Sequence, residues 1–119
     1  MKMHAGFTLS LIVAAGLGLT ACGSLKEDRR PKFNGVPFKA TVKAIDKRAT
    51  LADFRVEVGD ATRSQLGALQ AADHEAKRYC IENFGTSRFD WTNITVDAEG
   101  AYSLQLDRGD GIFTGTCKP

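Results

Sequence analysis

Histidine is almost missing from this chain of 119 residues: His4 and His74 are the only two. A metal centre needs several convergent ligands, and no second histidine or paired cysteine stands at ligand spacing around His74, so neither a metal nor a cofactor is expected. An excess of one charge is also lacking. Sixteen Lys and Arg against fourteen Asp and Glu leave +2, and there is no basic stripe with aromatics on the same face, so no nucleic-acid partner is expected. No Gly-x-Ser-x-Gly elbow occurs, which removes one hydrolase signature. The chain has no internal repeat or low-complexity stretch, and its length sets a ceiling of one sizeable domain. Long apolar runs are absent too. The longest, Phe7–Leu19, falls short of the roughly 20 residues a bilayer-spanning helix needs.

That short run has another use. Met1 to Gly6 carry Lys2 and no acid, and Phe7–Leu19 follow as an apolar core. After Leu19-Thr20-Ala21-Cys22 the sequence turns polar at once, with Gly23-Ser24-Leu25-Lys26-Glu27-Asp28. This is the layout of a secretory signal peptide. Leu19-Thr20-Ala21-Cys22 resembles the lipobox of bacterial lipoproteins, in which a branched apolar residue and two small residues precede an obligatory cysteine. The resemblance implies diacylglycerol on the Cys22 thiol, cleavage before Cys22 and, often, acylation of the new amine. One acyl chain holds a protein marginally, whereas two or three anchor it firmly. Gly23 is not the aspartate that marks inner-membrane retention in enteric bacteria, so the resemblance implies the outer membrane, facing the periplasm. The chain then divides into a signal peptide (1–21), a lipidated tether (22–35) and a small domain (36–119). The tether carries Lys26, Arg29, Arg30 and Lys32, which can touch anionic headgroups.

With Cys22 acylated, Cys80 and Cys117 are the remaining cysteines, and export to an oxidising compartment favours a disulfide between them. The alternative is two separate buried thiols. Chain-entropy arguments give such a bridge about 3–4 kcal/mol, a large share of a small domain's stability.

From Val36 to Ala44 apolar and polar residues alternate, which predicts a half-buried strand. Asp46–Thr50 supplies a turn, and Phe54, Val56 and Val58 alternate with Arg55 and Glu57 in a second strand. Thr62 and Gln65 have capping-box spacing and predict a helix start. Leu66, Leu69, Ala72, Ala76, Tyr79, Cys80 and Phe84 recur at helical spacing, with Gly85 as the C-cap. Phe89 and Trp91 share one face of a third strand, and a bulge near Thr92-Asn93 is needed to bring Ile94 and Val96 back to it. Tyr102, Leu104 and Leu106 predict a fourth strand. Phe113, Gly115 and Cys117 line one face of a fifth. The expected fold is α+β: an antiparallel sheet of about five strands, one helix on one face, order ββαβββ, with one disulfide.

The remaining candidates are weak. His74 sits about 200° around the helix from the buried stripe and is expected to be exposed; it also lies about 240° from Cys80, too far for a nucleophile pair. Asp107 and Asp110 lack the rest of a calcium-loop ligand series. Asn93-Ile94-Thr95 matches a glycosylation acceptor that a bacterial lipoprotein does not use. The open face of the sheet, with Lys39, Thr41, Lys43, Arg55, Glu57, Ser103, Gln105 and Thr114, is the surface left for a partner. The expected function is therefore a non-enzymatic, lipid-anchored binding or structural module of the cell envelope. Its partners are membrane lipid, through Cys22, and an envelope protein. The rival expectations are a lipid-held inhibitor of an envelope hydrolase such as lysozyme, and a small-ligand binder or enzyme.

Overall fold

In the computed structural model, which describes residues 30–119, the chain begins with a small hairpin. Strands β1 (Lys32–Phe33) and β2 (Val36–Pro37) pair antiparallel across Asn34-Gly35. Both turn residues take positive φ, 53° and 76°, as a type I′ turn requires, and Asn-Gly is its strongest sequence signal. The strand expected from Val36 to Ala44 is therefore two pieces. Val36 and Pro37 fold back onto β1, and the long strand, β3, is Ala40–Asp46. The folded unit has begun by Lys32, inside the stretch that composition alone assigns to the tether. Signal peptide, lipobox and most of the tether lie outside the described residues.

Strand β3 pairs antiparallel with β4 (Thr50–Val58), and β4 with β7 (Asp110–Cys117). The far side of β7 is shared by β5 (Phe89–Trp91) at one end and β6 (Leu106–Asp107) at the other. The result is a five-stranded antiparallel sheet ordered β3-β4-β7-β5, with β6 also paired to β7. A 3₁₀ turn, η1 (Ala61–Arg63), leads into the helix α1 (Gln65–Phe84), which covers one face. Among the described residues no helix is long and apolar enough to cross a membrane.

Three rungs run across the covered face: Ala44, Phe54, Gly115; Val42, Val56, Phe113; and Ala40, Val58, Gly111. Along β7 this face runs Gly111, Phe113, Gly115, and the two glycines leave the gaps that the Phe113 and Phe54 rings fill. Phe54, fully buried, lies over Gly115, where a Cβ would stand 2.6 Å from its Cζ. Around it pack Tyr79, Phe89 and Trp91, with ring centroids 5.4, 5.8 and 6.1 Å away. The helix meets this surface through Ala68, Ala71, Ala72 and Ala76, all buried, with Tyr79 and Cys80. Small side chains let its backbone come close. Leu66, expected on that stripe, is 46% exposed, because the stripe centres on Ala68, Ala72 and Tyr79 and Leu66 lies about 160° round from Ala68.

The helix starts later than Thr62 predicts. Thr62 belongs to η1, and the N-cap is Ser64, whose Oγ accepts from Gly67 N at 2.9 Å, a bond worth about 1 kcal/mol. The same Oγ accepts from Asn34 Nδ2 at 3.0 Å, tying the β1–β2 hairpin to the helix start. A Cβ on Gly67 would stand 2.5 Å from Phe33 O. Gly85 closes the helix as expected, at φ 71°, donating to Ile81 O at 2.9 Å.

Between Trp91 and Leu106 the chain leaves the sheet. Thr92 N still donates to Thr114 O, but from there the side chain of Asn93 does what a strand backbone would do. Its Nδ2 donates to Ile112 O at 2.8 Å and its Oδ1 accepts from Thr114 N at 2.9 Å. With those positions on β7 taken, the strand expected at Ile94–Val96 does not form, and the one expected at Tyr102–Leu106 is cut down to its end, where Gln105 O accepts from Ile112 N at 2.9 Å. Only Leu106–Asp107 pairs, across a second type I′ turn at Arg108 (φ 55°) and Gly109 (φ 88°). Ile94, Tyr102 and Leu104 still reach the core from the loop, whereas Val96 and Leu106 stay exposed.

Candidate interaction surfaces

Cys80 and Cys117 form the disulfide, 37 residues apart in sequence and 5.6 Å between Cα atoms. Cys80 is on the buried stripe of α1 and Cys117 on the covered face of β7, beside Phe89 on β5. The bridge thus ties the helix to the central part of the sheet at the end where β5 is only three residues long. Cys22 lies outside the described residues.

His74 is exposed, and its ring lies 5.7 Å from that of Phe33. Among the described residues no group of three His, Cys, Asp or Glu is placed to hold a metal. The Asp107–Gly111 segment is the β6–β7 turn. There Asp110 Oδ1 accepts from Asp60 N at 3.3 Å and Gly109 O from Ala61 N at 3.2 Å, fastening η1 to the turn.

The open sheet face carries Thr41, Lys43, Arg55, Glu57, Thr114 and Thr116. It is knitted together: Arg55 Nε donates to Glu57 at 3.1 Å, Thr116 bonds Asp53, and Thr92 and Thr114 hydroxyls stand 2.8 Å apart. Ser103 and Gln105 do not join it as strand residues; Gln105 Nε2 donates to Asn93 O. Pattern reading could not have placed the groove beside the helix. A hollow of 620 Å³ runs between Asp73 and Lys77 on α1 and Phe89, Asp90 and Trp91 on β5. Phe89 and Trp91 stack edge to face at 4.7 Å, and the ion pairs Lys77–Asp73 and Lys118–Asp90, each 2.8 Å, line the rim. The one available signal was composition: Trp91 is the sole tryptophan, and it ends a short strand at the edge of the sheet.

No protein family matches this chain, nor does any curated protein or solved structure.

Buried polar atoms among the described side chains all have hydrogen-bond partners. Tyr79 donates its hydroxyl to Leu51 O at 2.7 Å and Tyr102 to Gln65 O at 2.6 Å. Burial pushes the Tyr102 hydroxyl up to about 12 and raises that of Tyr79. An unfolded tyrosine loses its proton near pH 10, so between about 10 and about 12 the unfolded chain has released a proton that the folded one keeps. Stability is then complete below pH 10 and falls as pH rises through that window. Urea midpoints measured at stepped pH are expected to decline there, and Tyr102→Phe to flatten the decline. A wild-type midpoint that stays level across the window contradicts this.

Proposed function

We propose that this protein is a lipid-anchored component of the cell envelope, held through diacylglycerol on Cys22 at the periplasmic face of the outer membrane, and that it acts by binding. The observation that carries this reading is the Cys80–Cys117 bridge. It accounts for two of the three cysteines in an oxidised state suited to an exported protein, leaving Cys22, at the end of a signal-peptide pattern, for the lipid. Binding is supported by the groove beside the helix, where Phe89 and Trp91 are only half-buried between two ion pairs.

Intact-mass measurement of the mature protein from its own envelope tests this. The expected species begins at Cys22 and carries acyl mass, and Cys22→Ser moves the protein from the membrane to the soluble fraction. A product that begins elsewhere, or begins at Cys22 without acyl mass, overturns the reading.

A further inference from the structure

The net charge of +2 conceals a division along the fold. From Pro31 to Ala49, which covers the β1–β2 hairpin, β3 and the β3–β4 turn, there are five bases and one acid: Lys32, Lys39, Lys43, Lys47 and Arg48 against Asp46. From Thr50 to Pro119 seven bases face eleven acids. One edge of the domain is thus about as positive as the remainder is negative.

The surroundings of the five bases set them apart. All are exposed, and none makes an ion pair among the described residues, whereas Arg55, Lys77, Arg78 and Lys118 each do. Lys43 stands directly opposite Arg55 in the sheet register, and the neighbouring carboxylate, Glu57, pairs with Arg55 and not with Lys43. Strand β3 is the sheet's outer strand; Lys43 lies on it, Lys39 just before it and Lys47 and Arg48 in the turn after it, so four of the five bases follow an edge that no other strand covers among the described residues. At its tip Ile45, 56% exposed, sits among Lys43, Lys47 and Arg48. Aliphatic surface beside positive charge is the combination that binds the boundary between headgroups and acyl chains.

We infer that this basic edge rests on the anionic headgroups of the membrane that holds the anchor. The inference rests on the lipid-anchor reading for its orientation. Seven residues lie between Cys22 and Arg30, and the eight steps from one to the other reach at most about 28 Å, so the end of the domain that carries the β1–β2 hairpin is the end held toward the bilayer. Charge attraction fades over about 8 Å at physiological salt, so the edge acts only when the domain lies directly on the surface. The acyl chains set the distance, and the edge sets which side of the head faces down, leaving the groove at Trp91, on the opposite edge of the sheet, toward the periplasm.

The test uses the chain from residue 22 onward carrying Cys22→Ser, which keeps the tether and every described residue but cannot be acylated. It is sedimented with vesicles of phosphatidylglycerol in phosphatidylcholine, and with phosphatidylcholine alone. Binding to the first and not the second is expected, with release by added salt. Each lysine near the surface is worth about five-fold in partitioning, so Lys39→Glu with Lys43→Glu lowers it about twenty-fold or more. Lys77→Glu with Lys118→Glu, an equal charge change at the far edge, lowers it by much less. A carboxylate at position 43 would face Arg55, so the first pair keeps the fold, and a thermal melt verifies that. Absence of binding, binding that ignores phosphatidylglycerol, or equal loss in both double variants overturns the inference. Intact mass of the native protein judges the anchor separately, so either reading can fail alone.

Discussion

Replacing Cys80 by alanine is expected to lower the stability of the domain by about 4 kcal/mol, Cys117→Ala by a similar amount, and both together by no more than either. The bridge closes a loop between residues 37 apart, and chain entropy gives such a closure close to 4 kcal/mol. The two sites are 0% and 4% exposed, and the cysteine left behind in each single variant behaves as a small buried hydrophobe with a weak donor. Alanine avoids the buried hydroxyl that serine would bring. The loss is large beside the 5–15 kcal/mol that holds a typical domain together. Urea titrations close the double-mutant cycle: the coupling energy equals the single-variant cost if the thiols are partners in solution, whereas additive losses show two independent buried cysteines. An unfolded chain freed of its cross-link also exposes more surface, so a steeper urea dependence is expected in all three variants.

The elements that could be read from sequence are those in which one period decides the outcome. Phe54, Val56 and Val58 alternate without interruption, and all three are fully buried; Gly85 follows the last helical residue and takes the left-handed conformation. The bridge followed from the number of cysteines once Cys22 was set aside. The failures have specific physical sources. Thr62 and Ser64 both carry a capping hydroxyl; Ser64 caps the helix, and its oxygen also accepts from Asn34, 30 residues away, a contact that local spacing does not reveal. Asn34-Gly35 was a hairpin signal within the sequence, masked by the alternation that runs on through Val36. Asn93 substitutes a side-chain amide for a strand, a device with no periodicity to reveal it. Of the candidate surfaces, the groove at Trp91 joins residues from α1, β5 and the C-terminal residues, which no linear pattern brings together. The basic edge was concealed by summing charge over the whole chain, when the division falls at the β3–β4 turn.

Phe54→Ala is expected to cost about 3–5 kcal/mol, the range for removing a buried phenyl ring from a core that cannot collapse around the gap. The ring is fully buried and touches three other aromatic rings, and its neighbours are held by the sheet register on one side and by the bridged helix on the other. Loss of this single side chain therefore removes a large part of the net stability. Gly115 is its complement on β7. A methyl group there would stand 2.6 Å from Phe54 Cζ and 2.9 Å from Asp90 O, so Gly115→Ala is expected to cost about 1–3 kcal/mol by overpacking. The two sites can be separated from a merely additive account by pairing Gly115→Ala with Phe54→Leu, whose shorter side chain vacates the space nearest the new methyl. The double variant is expected to be more stable than the sum of its singles by about 1 kcal/mol. Recovery stays partial because the Asp90 carbonyl, part of the β5 backbone, does not move aside. Urea midpoints of the four proteins measure the coupling, and strictly additive losses would mean that ring and glycine do not meet as the β4–β7 register places them.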